Sequence, residues 1–170
     1  MALSEALLPE FDREMAGTRK HLERVPDDKF DWKPHAKSMT VRELTTHLVL
    51  FPSWMIDTLA KTEFDYAPVG GEPYKPPAVN SHKDLLEIFD RDVPKAREAL
   101  KAASDAQLMA TWSLLAGGKT IFAMPRIAVL RSMVMNHLIH HRAQLGVYLR
   151  LNDVPLPALY GPSADDAQFA

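Results

Sequence analysis

Apolar residues recur every three or four positions over four long stretches of the chain, which is the period of an amphipathic helix. The first stretch runs from Leu3 and stops before Pro26, where we expect the first helix to end. The second starts at Thr40 and Glu43, which have the spacing of a capping box, so a helix is predicted from residue 41 to about residue 62.

Two further helices follow from the same pattern. Ser81 is a good cap for a third helix over about 82–103, which Pro94 is expected to kink or break. Pro125 is well placed as the first residue of a fourth helix over about 125–151. Gly117 and Gly118 indicate a loop between them, and no useful length of sequence alternates between apolar and polar residues as a strand would.

The connection between the second and third helices is long. Residues 64–80, FDYAPVGGEPYKPPAVN, contain four prolines and two adjacent glycines, which excludes a helix or a central strand. Seventeen extended residues reach up to about 56 Å, more than the roughly 33 Å of a 22-residue helix. The connection can therefore leave helices two and three parallel. We predict an all-α fold, a four-helix bundle with a long crossover between helices 2 and 3 and an up-down-down-up order.

The composition changes this picture little. The chain has 170 residues, of which 46% are hydrophobic and 25% charged, as in an ordinary soluble protein large enough to bury its own core. Residues 1–170 are predicted to form a single domain, with 152–170 as a coil tail. In that tail Tyr160 and Asp165 are candidates to fold back across one end of the bundle.

Charge and residue usage exclude several classes of protein. The net charge is -2 and no helix carries a basic stripe, so we expect no nucleic-acid partner. No apolar run reaches the roughly 18 residues of a membrane span, so we expect no membrane partner. The first residues, MALSEALLPEFDREM, lack the basic start of a signal peptide, and the chain has no cysteine. These features favour a cytoplasmic protein without disulfides or a thiol nucleophile of its own.

Three histidines interrupt the apolar faces of two predicted helices. His137 and His141 are four residues apart, so they point from one face, one turn apart. His47 is the polar residue in a stripe otherwise formed by Leu44, Phe51, Trp54 and Met55. Two such histidines alone are usually a polar pair, and a lone core histidine usually bonds to a carbonyl. Three inward imidazoles from two helices indicate a metal ion, because one ion satisfies all three.

Other polar and aromatic residues near these histidines have weaker signals. Gln144, one turn beyond His141, is a candidate donor behind the metal ligands, and Trp54 is a candidate wall of a substrate pocket or a core residue. His140 is predicted at the rim of the pocket or at a helix interface, and Arg142 at the surface or an interface. The sequence context predicts exposed side chains for His21, His35 and His82.

The segments TVRELTTHL, NHLIHHRAQLGVYLRLNDVP and YGPSADD, in this order of helices, resemble the DinB/YfiT-like family of metalloenzymes over nearly the whole chain. The resemblance implies a four-helix bundle with parallel central helices. It also implies a metal triad of His47, His137 and His141 that holds one divalent ion. Imidazole ligands suit zinc, nickel, iron and copper alike, and we expect zinc or nickel. A homodimer is expected as well, with apolar area supplied by Met124, Met133 and Met135.

Three neutral imidazoles leave coordination positions open, which is typical of catalytic zinc sites. Characterised relatives in this broad family are metal-dependent thiol S-transferases and thiol-dependent isomerases. The resemblance therefore implies a metal-dependent transferase that activates a low-molecular-weight thiol for attack on an electrophile. One alternative is a metal-dependent hydrolase using metal-bound hydroxide, although neither helix supplies an evident carboxylate base. The other alternative is a non-catalytic metal-binding stress or interaction protein. In such a protein the open coordination position of the metal would have no evident role.

Overall fold

The computed structural model describes residues 2–165, and most of them are helical. The long helices are α1 Leu3–Leu22, α2 Val41–Ala60, α3 His82–Ala102 and α6 His137–Leu151, and the short ones are α4 Asp105–Met109 and α5 Arg126–Val129. A 3₁₀ turn covers Asp27–Lys29, and a π-helical segment, Leu130–Asn136, joins α5 to α6. Over the described range no helix combines the length and the apolar character that crossing a membrane requires.

Side-chain caps are present at the starts of three helices, and those at Thr40 and Ser81 confirm the prediction. Oγ1 of Thr40 accepts a hydrogen bond from the backbone N–H of Glu43 at 3.1 Å, and the Glu43 carboxylate accepts from the N–H of Thr40 at 2.7 Å. Ser81 caps α3 and Ser104 caps α4 through their side chains. Pro94 does not break α3, since one missing N–H is tolerated in a helix that packs on two neighbours.

The core lies between the four long helices. Helix α2 packs against α3 and α6, and α1 packs against the same two helices. The largest fully buried apolar side chains come from every long helix: Phe11, Phe51, Phe89, Leu44, Leu85 and Leu138. Burial of these faces explains why the apolar period of the sequence located the helices correctly.

Helices α2 and α3 begin close together. Nη1 of Arg42, in the first turn of α2, donates to the carbonyl of Val79 at 2.7 Å, just before α3 begins. After α3 ends, Nε2 of Gln107 donates to the carbonyl of Leu59 in the last turn of α2 at 2.9 Å. The connection between the two helices therefore returns the chain to the start of α2. The complete up-down-down-up order stays a prediction.

The predicted all-α fold is wrong in one respect, because the molecule also contains a three-stranded sheet. Its strands are β1 Glu63–Asp65, β2 Thr111–Ala116 and β3 Lys119–Pro125. Strands β2 and β3 are antiparallel and joined by Gly117 and Gly118, both at positive φ, and β1 pairs in parallel with β2. These strands are short and mostly half-exposed, so their apolar alternation is weak in the sequence.

Asp65 ties the long connection to the β2–β3 turn. Its carboxylate accepts hydrogen bonds from the backbone N–H groups of Ala67 at 3.0 Å, Gly117 at 3.1 Å and Gly118 at 2.7 Å. Desolvation opposes the ionised carboxylate, but these donors outweigh it and hold the pKa of Asp65 below its ordinary value. The proline-rich connection is thus fixed against the sheet at one point.

The tail contains no helix or strand from residue 154 to residue 165, and residues 166–170 of the predicted coil lie outside the described range. Tyr160 and Asp165 do fold back, but onto α1 and α6. The hydroxyl of Tyr160 donates to Oε2 of Glu14 at 2.7 Å, and Asp165 forms an ion pair with Arg150.

Candidate metal centre

The three histidines of the predicted triad converge inside the bundle. Nε2 of His137 lies 2.9 Å from Nε2 of His141 and 3.5 Å from Nε2 of His47. One ligand nitrogen from each ring can be chosen so that all lie within 4.8 Å of one another. Helix α2 supplies one ring and α6 supplies two, one helical turn apart.

These separations fit a single divalent ion. With Zn–N distances of about 2.0–2.1 Å, two ligands of a tetrahedral ion are roughly 3.3 Å apart. The two measured Nε2 separations, 2.9 and 3.5 Å, lie on either side of that value. No cysteine or carboxylate belongs to this cluster in the described chain, so the donor set is three imidazoles. Imidazole nitrogen suits zinc and nickel alike.

Gln144 sets the tautomer of one ring. Its Oε1 lies 2.7 Å from Nδ1 of His141, and a carboxamide oxygen only accepts, so Nδ1 carries the proton. Nε2 of His141 is then a lone pair directed at the other histidines. Gln144 therefore lies behind the triad as the spacing predicts, but it acts as an acceptor and not as a donor.

Nδ1 of His137 is buried, and it has no hydrogen-bond partner of normal geometry within residues 2–165. The carbonyl of Met133 lies on this side of the ring, close enough to favour a proton there. A buried ring nitrogen without a partner costs free energy. A ligand on Nε2 would place the ring proton on Nδ1, toward that carbonyl, so the surroundings of Nδ1 are compatible with a metal ion on Nε2.

Burial is the main reason why all three pKa values are lowered. The pKa of His47 falls to about 4, with further contributions from His141 and His137. Burial likewise lowers the pKa of His137 and of His141, although Gln144 opposes the effect at His141. All three rings are therefore neutral at pH 7, which is the protonation state that binds metal ions.

The helix that carries two of these ligands is irregular just before them. The residues Leu130–Asn136 are π-helical, and His137 is the first residue of regular α-helix after them. Wider π turns shift which side chains face the bundle, and they are frequent at functional sites. Nothing in the sequence of the helix predicted over 125–151 indicates this irregularity. The pairing of His137 with His141 was nevertheless predictable, because both lie in the regular part.

Aromatic rings surround the triad. Phe51 is fully buried, and its ring centroid is 5.0 Å from those of both His47 and His137. Trp54 is half-buried, with its ring centroid 5.1 Å from that of His47. Phe51 is therefore a core residue, whereas Trp54 lies at the border between core and pocket. His140 is exposed, with its ring edge-on to His141.

Two cavities reach the triad from different sides. The first, of about 330 Å³, touches His137 and is lined mainly by aromatic rings: Trp54, Phe64, Tyr66, Tyr74, Trp112 and Phe122. The second, of about 470 Å³, touches His47 and is lined by the start of α2 and by residues 76–80 of the long connection. Trp54 and Tyr74 line both cavities and lie between them. Trp54 is thus placed in a pocket wall.

Most of the aromatic lining is absent from the residues that the sequence singles out. Phe64, Trp112 and Phe122 belong to the sheet, which is not predicted, and Tyr74 belongs to the connection. A usable signal was present in TWSLLAGGKTIFAMP, where two short β-prone runs flank a Gly-Gly turn.

The prediction of an exposed side chain is wrong for His21, and of the two locations predicted for Arg142 the helix interface is the correct one. His21 is buried between α1 and α6, where its Nδ1 lies 3.1 Å from the carbonyl of Gly17. Arg142 is fully buried, and its Nη2 lies 2.6 Å from Oε2 of Glu14. His21 of α1 and Arg142 of α6 lie where these two helices pack together. A pattern of apolar stripes does not indicate such a contact when the packed side chain is polar or charged. His82 is half-buried and His35 is exposed.

A helical fold that carries an internal histidine triad, with two cavities leading to it, defines a candidate metal-binding helical protein. The model of the DinB superfamily matches residues 10–145, so the chain belongs to the DinB superfamily, and the DinB/YfiT-like resemblance is confirmed.

Solved structures agree with this assignment at the level of the fold. A DinB-like protein from Bacillus cereus has 22% sequence identity and a TM-score of 0.70, over 92% of this chain and 97% of its own. A DinB-like protein from Bacillus subtilis has 19% identity and a TM-score of 0.69, over 93% and 99%. No curated protein matches the chain.

Proposed function

We propose that this protein is a metal-dependent transferase that activates a low-molecular-weight thiol for attack on an electrophile. His47, His137 and His141 hold one divalent ion, zinc or nickel. The observation that carries the proposal is the position of the triad, with three neutral ligands, between two separate cavities that touch different histidines. A purely structural ion would be closed by a fourth protein ligand.

A bound divalent ion supplies positive charge that lowers the pKa of a small thiol from about 8.5 toward neutral pH. The residues of the chain supply orientation. Gln144 holds one ring with its lone pair inward, and Trp54 separates the two cavities. In the reaction, the thiol gives its proton to solvent and its sulfur forms a bond to carbon. The bond from that carbon to the leaving group breaks, and the leaving group departs with the electron pair.

Two observations favour the transferase over the alternatives. A hydrolase needs a free base beside the attacking water. The carboxylate of Asp57, which lines the first cavity, is ion-paired with Lys61 at 2.7 Å. The carboxylate of Glu43, which lines the second cavity, accepts hydrogen bonds from Thr40 in the helix cap at 2.7 and 3.1 Å. A non-catalytic metal protein has no need of two cavities that meet at the ion. Both alternatives are outcomes of the following test.

The test uses protein loaded with cobalt as a spectroscopic probe and a panel of small thiols. If the protein is the proposed transferase, addition of one of the thiols should produce a new sulfur-to-metal charge-transfer band. This band should be absent from the spectrum of the His141→Ala protein. The proposal also predicts conjugation of that thiol to an electrophile only in metal-loaded protein. Hydrolysis of an ester or amide without thiol, and with no thiol-induced spectral change, would establish the hydrolase. Metal binding without any turnover would establish the non-catalytic protein.

A further inference from the structure

One wall of the cavity at His137 is a face of the small sheet. Phe64, Leu114 and Phe122 occupy one row across the three strands, since Leu114 pairs with Phe64 on one side and with Phe122 on the other. Side chains in register across strands share a face. Trp112, two residues before Leu114, shares it too, and its ring centroid is 6.1 Å from that of Phe122. The wall is therefore broad and apolar.

The rest of the cavity is formed by helices and by the long connection. Trp54 and Thr58 of α2 and Met133 of the π segment contribute, and His137 lies among them. Tyr74 packs edge-on against Phe64, with 5.6 Å between ring centroids. The volume of about 330 Å³ lies within the range of small-molecule sites. The shape suits a flat molecule held between aromatic rings.

The charges around this cavity favour an uncharged ligand. Asp57 is the charged side chain among its lining residues, and its partner Lys61 also lies 5.8 Å from the centroid of the Phe64 ring. The carboxylate is thus balanced by a cation of the protein itself. An anion would lose its hydration against apolar walls without a free cation to bind it, and a cation would find the carboxylate of Asp57 already paired.

We infer that the cavity beside His137 binds an uncharged, flat, aromatic or conjugated molecule, and that this molecule is the electrophile. The inference that such a molecule binds here depends on the cavity alone. The inference that the molecule is the electrophile rests on the proposed function. The second cavity carries Arg42, Glu43 and Asn80 and is the more polar of the two in its side chains. It therefore suits the polar body of the thiol, and each substrate approaches the triad from its own side.

The experiment measures binding to the metal-free full chain by calorimetry and by tryptophan fluorescence. The probes are methyl 2-naphthoate, which is uncharged, and 2-naphthoate, which has the same rings and a negative charge. The ester is expected to bind at least about tenfold more tightly, because only the carboxylate has to be desolvated as an ion. Equal affinities, or no binding of the ester, would overturn the inference.

A matched pair of variants locates the site. Phe122→Ala removes part of the wall and is expected to weaken ester binding about three- to tenfold. Ile121→Ala changes the neighbouring residue of the same strand, which is 57% exposed and outside the cavity lining, and should leave ester binding unchanged. Equal loss or no loss in both variants would contradict the assignment. Circular dichroism checks that each variant is folded.

A third variant covers the case in which Phe122→Ala fails to fold. Met133 lines the cavity but is 37% exposed, so Met133→Trp adds a ring to the cavity without enlarging the core. It is expected to abolish ester binding in a folded protein, and unchanged binding would again contradict the site. Because no metal is present, a failure of ester binding and a failure of metal-dependent thiol transfer are separate results.

Discussion

Oε1 of Gln144 lies 2.7 Å from Nδ1 of His141, while Nε2 of the same imidazole lies 2.9 Å from Nε2 of His137. The carboxamide thus holds one candidate ligand by the nitrogen that faces away from the triad. Gln144 is exposed, so no packing requirement explains a polar side chain in this orientation. Partners of this kind fix the orientation of metal-bound histidines and raise their basicity.

Replacing Gln144 should weaken metal binding without removing a ligand. Gln144→Ala leaves Nδ1 of His141 without its acceptor, and we expect zinc affinity to fall about 10- to 100-fold in chelator competition. Gln144→Glu keeps an acceptor at the same reach and should retain most of the affinity. Wild-type affinity in the alanine variant would show that the contact does not orient the ring.

Removal of any triad histidine should lower metal occupancy sharply. The variants His47→Ala, His137→Ala and His141→Ala each leave two ligands, which is too few for stable binding of one ion. His140→Ala is the matched control, since this exposed ring lies next to the triad but outside it. Metal analysis of the purified variants measures the effect. Full occupancy in His47→Ala protein would rule out this triad.

The buried ion pair between Arg142 and Glu14 should be essential for stability. Arg142→Ala leaves the Glu14 carboxylate buried without its cation, and we expect a loss of about 3–5 kcal/mol in the free energy of unfolding. Tyr160→Phe removes only a hydroxyl that bonds to both residues and should cost about 1 kcal/mol. Urea denaturation compares the two, and similar losses would contradict this account.

His21 should make the metal-free protein less stable in acid. Burial lowers its pKa below the ordinary 6.5, the Gly17 carbonyl opposes this, and Arg142 and Arg24 lower the pKa further. Just below pH 6.5 the unfolded chain therefore binds a proton that the folded chain does not. The contribution of His21 is fully present above pH 6.5 and is lost as the pH falls toward the folded pKa.

The variant His21→Asn isolates this effect, because its amide can keep the bond to Gly17. Its unfolding free energy should fall less steeply than that of wild type between pH 6.5 and pH 5, by at most about 1.4 kcal/mol per pH unit. Urea denaturation of both metal-free proteins across this range measures the slopes. Parallel slopes would mean that folding does not lower the pKa of His21.

Self-association remains a prediction, but its surface needs revision. Met124 lies in β3, Met135 is fully buried and Met133 lines the first cavity, so these three methionines do not form one free helix face. Val147 and Leu151, one turn apart on α6, are 59% and 58% exposed. If the chain forms a homodimer through this face, Val147→Glu should give a monomer in light scattering at micromolar concentration, and wild type a dimer. A monomeric wild type would end the prediction.

The helical fold could be predicted because the apolar period is strong wherever a helix buries one face on the core. The capped starts at Thr40, Ser81 and Ser104 were predictable for a local reason, since each needs only a side chain and an N–H three residues later. The sheet was not predictable by the same means. Its strands are short and half-exposed, and β1 lies in a proline-rich segment, so its pairing depends on a partner about 50 residues away.

The histidine triad could be predicted in part from spacing alone. His137 and His141 share a helix face whatever the rest of the chain does, but the approach of His47 depends on how α2 packs against α6. That packing brought the Nε2 atoms together, and the packing of α6 against α1 buried Arg142 and His21. The pattern of a helical sequence does not show that a buried cation will find its partner on another helix, as Arg142 finds Glu14.

The sequence by itself determined the helices, their caps and the pairing of His137 with His141 on one helix face, because each of these depends on neighbours within a few residues. It also named His47, through the interrupted apolar stripe and the family resemblance. Only the tertiary structure decided which side chains form the cavities. The ring of Phe64 comes from β1, that of Trp112 from β2 and that of Trp54 from α2. These rings meet because strand pairing and core packing bring distant segments of the chain together. The local pattern of apolar residues does not predict such long-range contacts.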